Sequence, residues 1–400
     1  MIERTKAMFN KKDLLLLISM LLFLCVGLFA QQDSLDFPAP QYMLPFYDHF
    51  SQNHLNVEAM GRGFTTMAVL GKVENGVNNP ATLSSDKSAM YMELTIKPPI
   101  GEINVPDSMM YSSPIPFGMI GLSGRMYKQI YGAISYNVPK SLVYDNFTIE
   151  TGQGADAITR YPTYYLHQVT ATLAGDIGKL RLGINIHNQF HQFNDIVVFQ
   201  TFDMIDETFY VVRFQPGVLY QMDNINIGAA FTPETSVKMD IKYAEYDVVL
   251  PMKISAGVNA KYDNLGLFAD IDWEQFSKMD SKFDDRLTIK AGIEKRIRNY
   301  AYRAGLISFP GVYKGPYRLP FYEAAEPSHQ LWWNPIARGG VIGDTDQLYA
   351  TIGFTYHFNG GKLSLGLIRD VMDNVPATQF AMALGFNLDT LKGKKFLIFD

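Results

Sequence analysis

His187 and His191 stand four residues apart, a spacing that on a helix would align two imidazoles on one metal ion. They lie instead at the end of a run with strand periodicity, where no third ligand has a fixed place. Hydrogen-bonded or solvated imidazoles are therefore expected, and no metal. Asp270 and Asp272 share one face of another such run and have the spacing of paired carboxylates. Their expected role is to balance Lys and Arg across a polar interior. Asn146-Phe147-Thr148 fits a glycan acceptor, which matters only in a eukaryotic secretory route. Gly339-Gly340 follows no strand-to-helix pattern and makes no phosphate loop. A hydrolase carried on such a chain would need Ser or Asn beside His, and no pair of that kind stands out. The expectation is a non-enzyme with no cofactor.

The elements that must position these residues alternate with period two. Between 90 and 97, Met90, Met92, Leu94 and Ile96 alternate with Tyr91, Glu93, Thr95 and Lys97. Leu287, Ile289, Ala291 and Ile293 oppose Arg286, Thr288, Lys290 and Glu294 in the same way. Between 347 and 358, Leu348, Ala350, Ile352, Phe354, Tyr356 and Phe358 form one face. Successive side chains of a strand point to opposite faces, so each run has one apolar and one polar side.

Fourteen such runs are expected, at 88–97, 115–124, 129–138, 163–174, 179–190, 209–220, 224–232, 252–260, 264–275, 286–295, 300–309, 347–358, 362–369 and 378–388. Every second connection is tiny. Most of the others are long, among them 98–114, 139–162, 191–208, 233–251 and 310–346. An even strand count with short turns at one end and long loops at the other predicts an all-β, transmembrane antiparallel barrel with both termini in the periplasm. A soluble β-sandwich also alternates, but it rarely keeps strict short–long order over so many strands. The stretch 237–248 alternates too and is expected as the raised wall of an external loop.

The start of the chain sets the compartment. Arg4, Lys6, Lys11 and Lys12 precede an apolar run ending at Phe29, and Ala30 offers a cleavage point. Residues 1–30 therefore read as a secretory signal, too short in its apolar part for a spanning helix of roughly 20 residues. Leu24 ahead of Cys25 is too large for a lipidation site. Cys25 is the only cysteine, so the exported chain has no disulfide to hold it. Of the 400 residues 47% are hydrophobic and 13% aromatic, the composition of strands and membrane interfaces. A net charge of −5 without clusters gives no basic face for a nucleic acid. Residues 31–87 alternate little and are expected to fold into the lumen as a hatch, ahead of a barrel at 88–388. A tail at 389–400 has no assigned place.

Gly61-Arg62, followed by Asn79-Pro80-Ala81 just before the first strand, resembles the N-terminal hatch of FadL/TodX-type transporters, which carry long-chain fatty acids and aromatic hydrocarbons. The stretches 250–276 and 286–308 and the hairpin 212–233, with Pro216-Gly217 and Thr232-Pro233, follow in the family's order. The resemblance implies a fourteen-stranded barrel in the outer membrane of a Gram-negative-type bacterium. It also implies capture of an apolar molecule at external loops, hatch movement and lateral escape through the wall. Gly61, Arg62, Asn79, Pro80 and Ala81 are the expected gate, with Arg62 set to pair with a lumen carboxylate such as Glu93, Asp270 or Glu294. The family's usual terminal aromatic is displaced here, with Phe399 the nearest. None of Arg181, Arg213, Arg286 and Lys290 is singled out as a head-group ligand.

The long loops carry apolar residues that water-facing loops seldom concentrate. Val198, Phe199 and Phe202, with Trp332 and Trp333, are the expected capture surface. The expected partners are a hydrophobic small molecule or lipid and the lipids of the outer membrane. A polar-solute porin and a secretion or assembly component with a periplasmic partner are the alternatives.

Overall fold

The computed structural model describes residues 52–84, 87–96, 110–111, 117–144, 147–150, 157–160, 163–199, 201–241, 244–279, 283–312, 317–318, 341–342, 346–372 and 378–388. The expected signal, the tail 389–400 and the pair Trp332 and Trp333 lie outside these residues.

Fourteen strands build the wall: β1 Ala89–Ile96, β2 Phe117–Tyr127, β3 Ile130–Tyr144, β4 Thr163–Ile177, β5 Leu180–Phe199, β6 Thr201–Gln221 and β7 Ile225–Thr232. They continue as β8 Lys253–Tyr262, β9 Leu265–Glu274, β10 Arg286–Ile297, β11 Tyr300–Phe309, β12 Gln347–Phe358, β13 Gly361–Asp370 and β14 Thr378–Asn387. Each pairs antiparallel with its neighbour in sequence. β1 then pairs with β14, Ala89 opposite Asn387, and the sheet is closed. Closure leaves no edge strand with unpaired backbone, which a lipid environment requires.

The turns at one end are tight because their residues accept left-handed backbone. Lys128, Asp263 and Arg298 have φ of 44°, 49° and 54°, and Gly178 and Gly360 hold the same region. Exposed Tyr127, Tyr220, Tyr262, Tyr300, Tyr356 and Phe358 stand beside these turns as an aromatic girdle. Above them Leu94, Ile134, Ile271, Ile293 and Ile352 face outward, while Glu93, Ser135, Asp270, Glu294 and Thr351 on the same strands are buried inside. The wall is thus apolar outside and polar inside, as the alternation predicts.

Two long connections differ in kind. The expected loop 191–208 is instead a continuation of β5 and β6, paired out to Phe199 opposite Thr201. Val198 and Phe202 are register partners in that extension, and their side chains and that of Phe199 lie outside the described ones. The stretch 237–248 does form a separate two-stranded ribbon, Thr235–Ile241 with Ala244–Leu250, off the barrel sheet.

Candidate functional site

Residues 52–84 fold against the inward faces of the wall. Helix α1 (Val57–Gly61) starts at Asn56, whose φ of 72° turns the chain and whose side chain accepts from the Ala59 N–H. The Asn56 N–H donates to Glu93 Oε2 at 2.9 Å, and its amide donates to the Glu74 carbonyl and to Asn75 Oδ1. One residue therefore ties α1, the short helix α2 (Val73–Gly76) and strand β1 together. A 3-10 turn, Pro80–Thr82, completes the segment.

Four glycine pairs in the wall make room for it. Gly183 and Gly217, Gly228 and Gly257, Gly292 and Gly305, and Gly353 and Gly366 are register partners on adjacent strands. A Cβ on Gly183, Gly217, Gly228, Gly292, Gly305 or Gly353 would overlap the segment, at Pro80, Asn79, Met67, Arg62, Gly63 or Gly61 respectively; at Gly257 it would meet Asp270 and then Met67, and at Gly366 it would press on Met60 and Val57. Gly63, at φ +67°, makes the corresponding turn in the segment itself.

The expected gate residues all sit in this contact. Asn79 is fully buried; its Nδ2 donates to the Met67 carbonyl at 2.6 Å and to the Val218 carbonyl at 3.3 Å, and its Oδ1 accepts from the Ala81 N–H. Pro80 and Ala81 are buried beside β5 and β6. Gly61 meets Gly353. Arg62 departs from expectation. Its Nε and Nη1 donate to the carbonyls of Thr65 and Glu58, and its guanidinium lies over the Phe268 ring, 5.3 Å from the centroid. The three carboxylates expected to pair with it are already engaged. Glu93 takes Asn56 N–H and Tyr91 OH, Asp270 takes the N–H groups of Thr66 and Met67, and Glu294 takes Arg303 and Arg296.

A second charged centre was missed by sequence reasoning. Lys362 on β13 pairs with Glu58 at 2.5 Å and with Glu74 at 2.8 Å, and Arg303 pairs with Glu58 at 3.3 Å and Glu294 at 2.6 Å. Burial by itself would raise the Glu58 pKa, but Lys362 and Arg303 hold it well below the usual carboxylate range. Both acids lie in a stretch without periodicity, so only the folded register brings them to β13.

Two cavities border the segment. A cavity of about 320 Å³ opens toward the long-loop end, lined among others by Phe64, Lys140, His191, Arg213, Lys253 and Asp272. Another of about 310 Å³ opens toward the short turns, lined among others by Arg62, Lys72, Asn259, Lys261, Arg296 and Lys362. Glu74 borders both. In the first, Asp272 pairs with Lys253 at 3.1 Å and with Lys290, the balancing role expected of that face. The histidines are hydrogen-bonded, His187 to Thr170 and Gln215, and His191 to Tyr164. Arg181 pairs with Asp176, and Arg286 with Glu274. Arg213 binds the carbonyls of Pro233 and Pro251, the two ends of the ribbon's connections.

No family model matches the sequence, and no curated protein does. Solved structures share the fold. A FadL homologue of Pseudomonas aeruginosa aligns with a TM-score of 0.54 at 12% identity, over 84% of this chain and 99% of its own. The toluene transporter TbuX of Ralstonia pickettii aligns at 0.58 and 12%, over 84% and 98% of the two chains. The toluene transporter TodX of P. putida aligns at 0.58 and 10%, over 86% and 99%. The expected FadL-type fold is the one observed.

Proposed function

We propose that the chain is an outer-membrane channel for passive uptake of small hydrophobic molecules, fatty acids or hydrocarbons, with residues 31–87 as its hatch. One observation carries this reading: residues 52–84 pack against the inward faces of the wall, between a cavity at the long-loop end and another at the short-turn end. As a hatch, they would hold the barrel closed at rest. A polar-solute porin would need a continuous watery path there. The apolar outer band and aromatic girdle support placement in the outer membrane, and the likeness to barrels named as toluene transporters agrees with an apolar cargo.

Lateral release has a candidate position in β3. Pro139 lacks an N–H, and the β3–β4 ladder shifts register between Asn137 and Lys140. The carbonyls of Val138 and Pro139 there accept from the side chain and the N–H of Asn53. Movement of Asn53 with the hatch would free this weak point for escape into the bilayer. Capture at the external extension bearing Val198, Phe199 and Phe202, and at Trp332 and Trp333, belongs to the same proposal.

The test is uptake of a fluorescent fatty acid and of labelled toluene by cells that carry or lack the protein, beside liposome swelling in sugars. Saturable apolar uptake with no swelling is expected. Swelling without apolar uptake would establish a porin instead.

A further inference from the structure

The cavity at the short-turn end has more positive charge than its own acids neutralise. Its lining carboxylates are Glu58, Glu74 and Glu294, and these are held by Lys362, Arg303 and Arg296. Arg62, Lys72 and Lys261 line the same cavity, and among the described residues none of the three has a carboxylate partner. Lys72 donates only to the Asn387 amide oxygen, and Lys261 stands exposed at the rim. A buried cation without a direct ion pair is costly. Burial lowers the pKa of both Arg62 and Lys72, and the neighbouring Arg303 and Lys362 lower them further, against the raising effect of Glu294, Glu58 and Asp270 on Arg62 and of Glu74 and Glu58 on Lys72.

An independent feature of the same space concerns hydrogen bonds. Asn259 on β8 is 1% exposed, lines this cavity, and has no partner at either Nδ2 or Oδ1. Arg62 Nη2 is likewise buried and unpartnered. Buried polar atoms are nearly always paired, so donors left open around one cavity mark a place for a bound group. Two open donors, one of them a guanidinium, flanked by an amide acceptor and two rim cations, match an oxyanion: they give charge-assisted hydrogen bonds from several sides. The Phe268 ring lies in the same lining and offers apolar surface to whatever carries that oxyanion.

We propose that this cavity is an anion-binding site beneath the hatch, in which Arg62, Asn259 and Lys261 hold a carboxylate or phosphate that enters or leaves by the short-turn end. The site stands apart from the uptake reading: cargo released laterally at β3 does not pass it, and its occupant is a small anion that reaches it from the short-turn end.

Calorimetry on the full protein in zwitterionic nanodiscs, with empty discs subtracted, tests this with hexanoate, 1-hexanol and inorganic phosphate. Hexanoate is expected to bind at least tenfold more tightly than hexanol. Asn259→Leu, which keeps the volume and removes both open polar atoms, should abolish that difference, and Lys261→Gln should weaken hexanoate at least tenfold. Lys261→Arg should restore binding, and Lys128→Gln, the same charge change in a short turn off the cavity, should leave it unaltered. Circular dichroism of each variant confirms that the barrel has formed. Phosphate competing as well as hexanoate supports the site with a general oxyanion as its occupant; hexanoate alone supports a carboxylate. Equal binding of hexanol, or hexanoate binding untouched by both Asn259→Leu and Lys261→Gln, would overturn the proposal. Because binding is read without transport, its failure and that of the uptake reading are separable.

Discussion

Gly61 of α1 and Gly353 of β12 face each other so closely that a Cβ on either would stand 2.6 Å from the Cα of the other. No side chain fits at this meeting of segment and wall. Gly353→Val should therefore expel α1 at a cost of about 1–3 kcal/mol, the usual range for overpacking. The outward neighbours are untouched, so the barrel should still assemble. Single-channel recording is expected to show openings at least tenfold more frequent than in the wild type.

Ile352 and Thr351 in the same strand separate the two faces. Ile352 is 58% exposed toward the membrane side and Thr351 is 3% exposed, with its hydroxyl accepting from the Gly63 N–H at 3.0 Å. Ile352→Arg should lower the inserted fraction, since a charge on the lipid face near the midplane costs about 2–4 kcal/mol. A lumen-facing Thr351 invites the expectation that arginine is tolerated there; the contact with Gly63 contradicts it. Thr351→Arg should insert normally yet leak ions. Equal loss of insertion from both changes would show the faces to be misassigned.

Asn79→Ala leaves the carbonyls of Met67 and Val218 and the N–H of Ala81 without their partner in a fully buried place. Each unmet buried group costs about 1–3 kcal/mol. Limited proteolysis is expected to cut within 52–84 in this variant while the wall strands stay resistant.

Glu58 gives the proposed hatch a pH dependence of definite sign. Its pKa is depressed in the folded protein by Lys362 and Arg303 acting against burial. The stabilisation is thus fully present above the unfolded value of about 4.3 and is lost as pH falls through the lower folded value. The Glu58 contribution, read as the difference in leak between the wild type and Lys362→Met, should stay constant from pH 8 to pH 5 and shrink only in stronger acid. Lys362→Met, which frees both Glu58 and Glu74, should leak already at pH 7.

The wall was legible in the sequence because lipid outside and polar groups inside impose a period of two on every spanning strand. The extension of β5 and β6 past His191 was not. Beyond the membrane there is no lipid face, so Ile196-Val197-Val198-Phe199 loses its alternation and reads as a loop. Gly61 and Asn79-Pro80-Ala81 stood out from their order alone as residues of the proposed gate, yet the wall glycines they contact, Gly353, Gly217 and Gly183, did not. Each wall glycine is unremarked within its own strand, and only the register across strands sets them in pairs. Arg62 misled for a related reason. The backbone N–H groups of Thr66 and Met67 and the side chain of Arg303 claim the acids that its type and position would otherwise attract.

The central claim is that residues before the first strand close an otherwise open barrel. Planar-bilayer conductance of the protein lacking residues 33–80 tests it most directly, with assembly checked by circular dichroism. The intact protein should be silent apart from rare openings, and the shortened one should carry a large, steady current. A shortened barrel that assembles and stays closed, or an intact one that already conducts as much, would contradict the account.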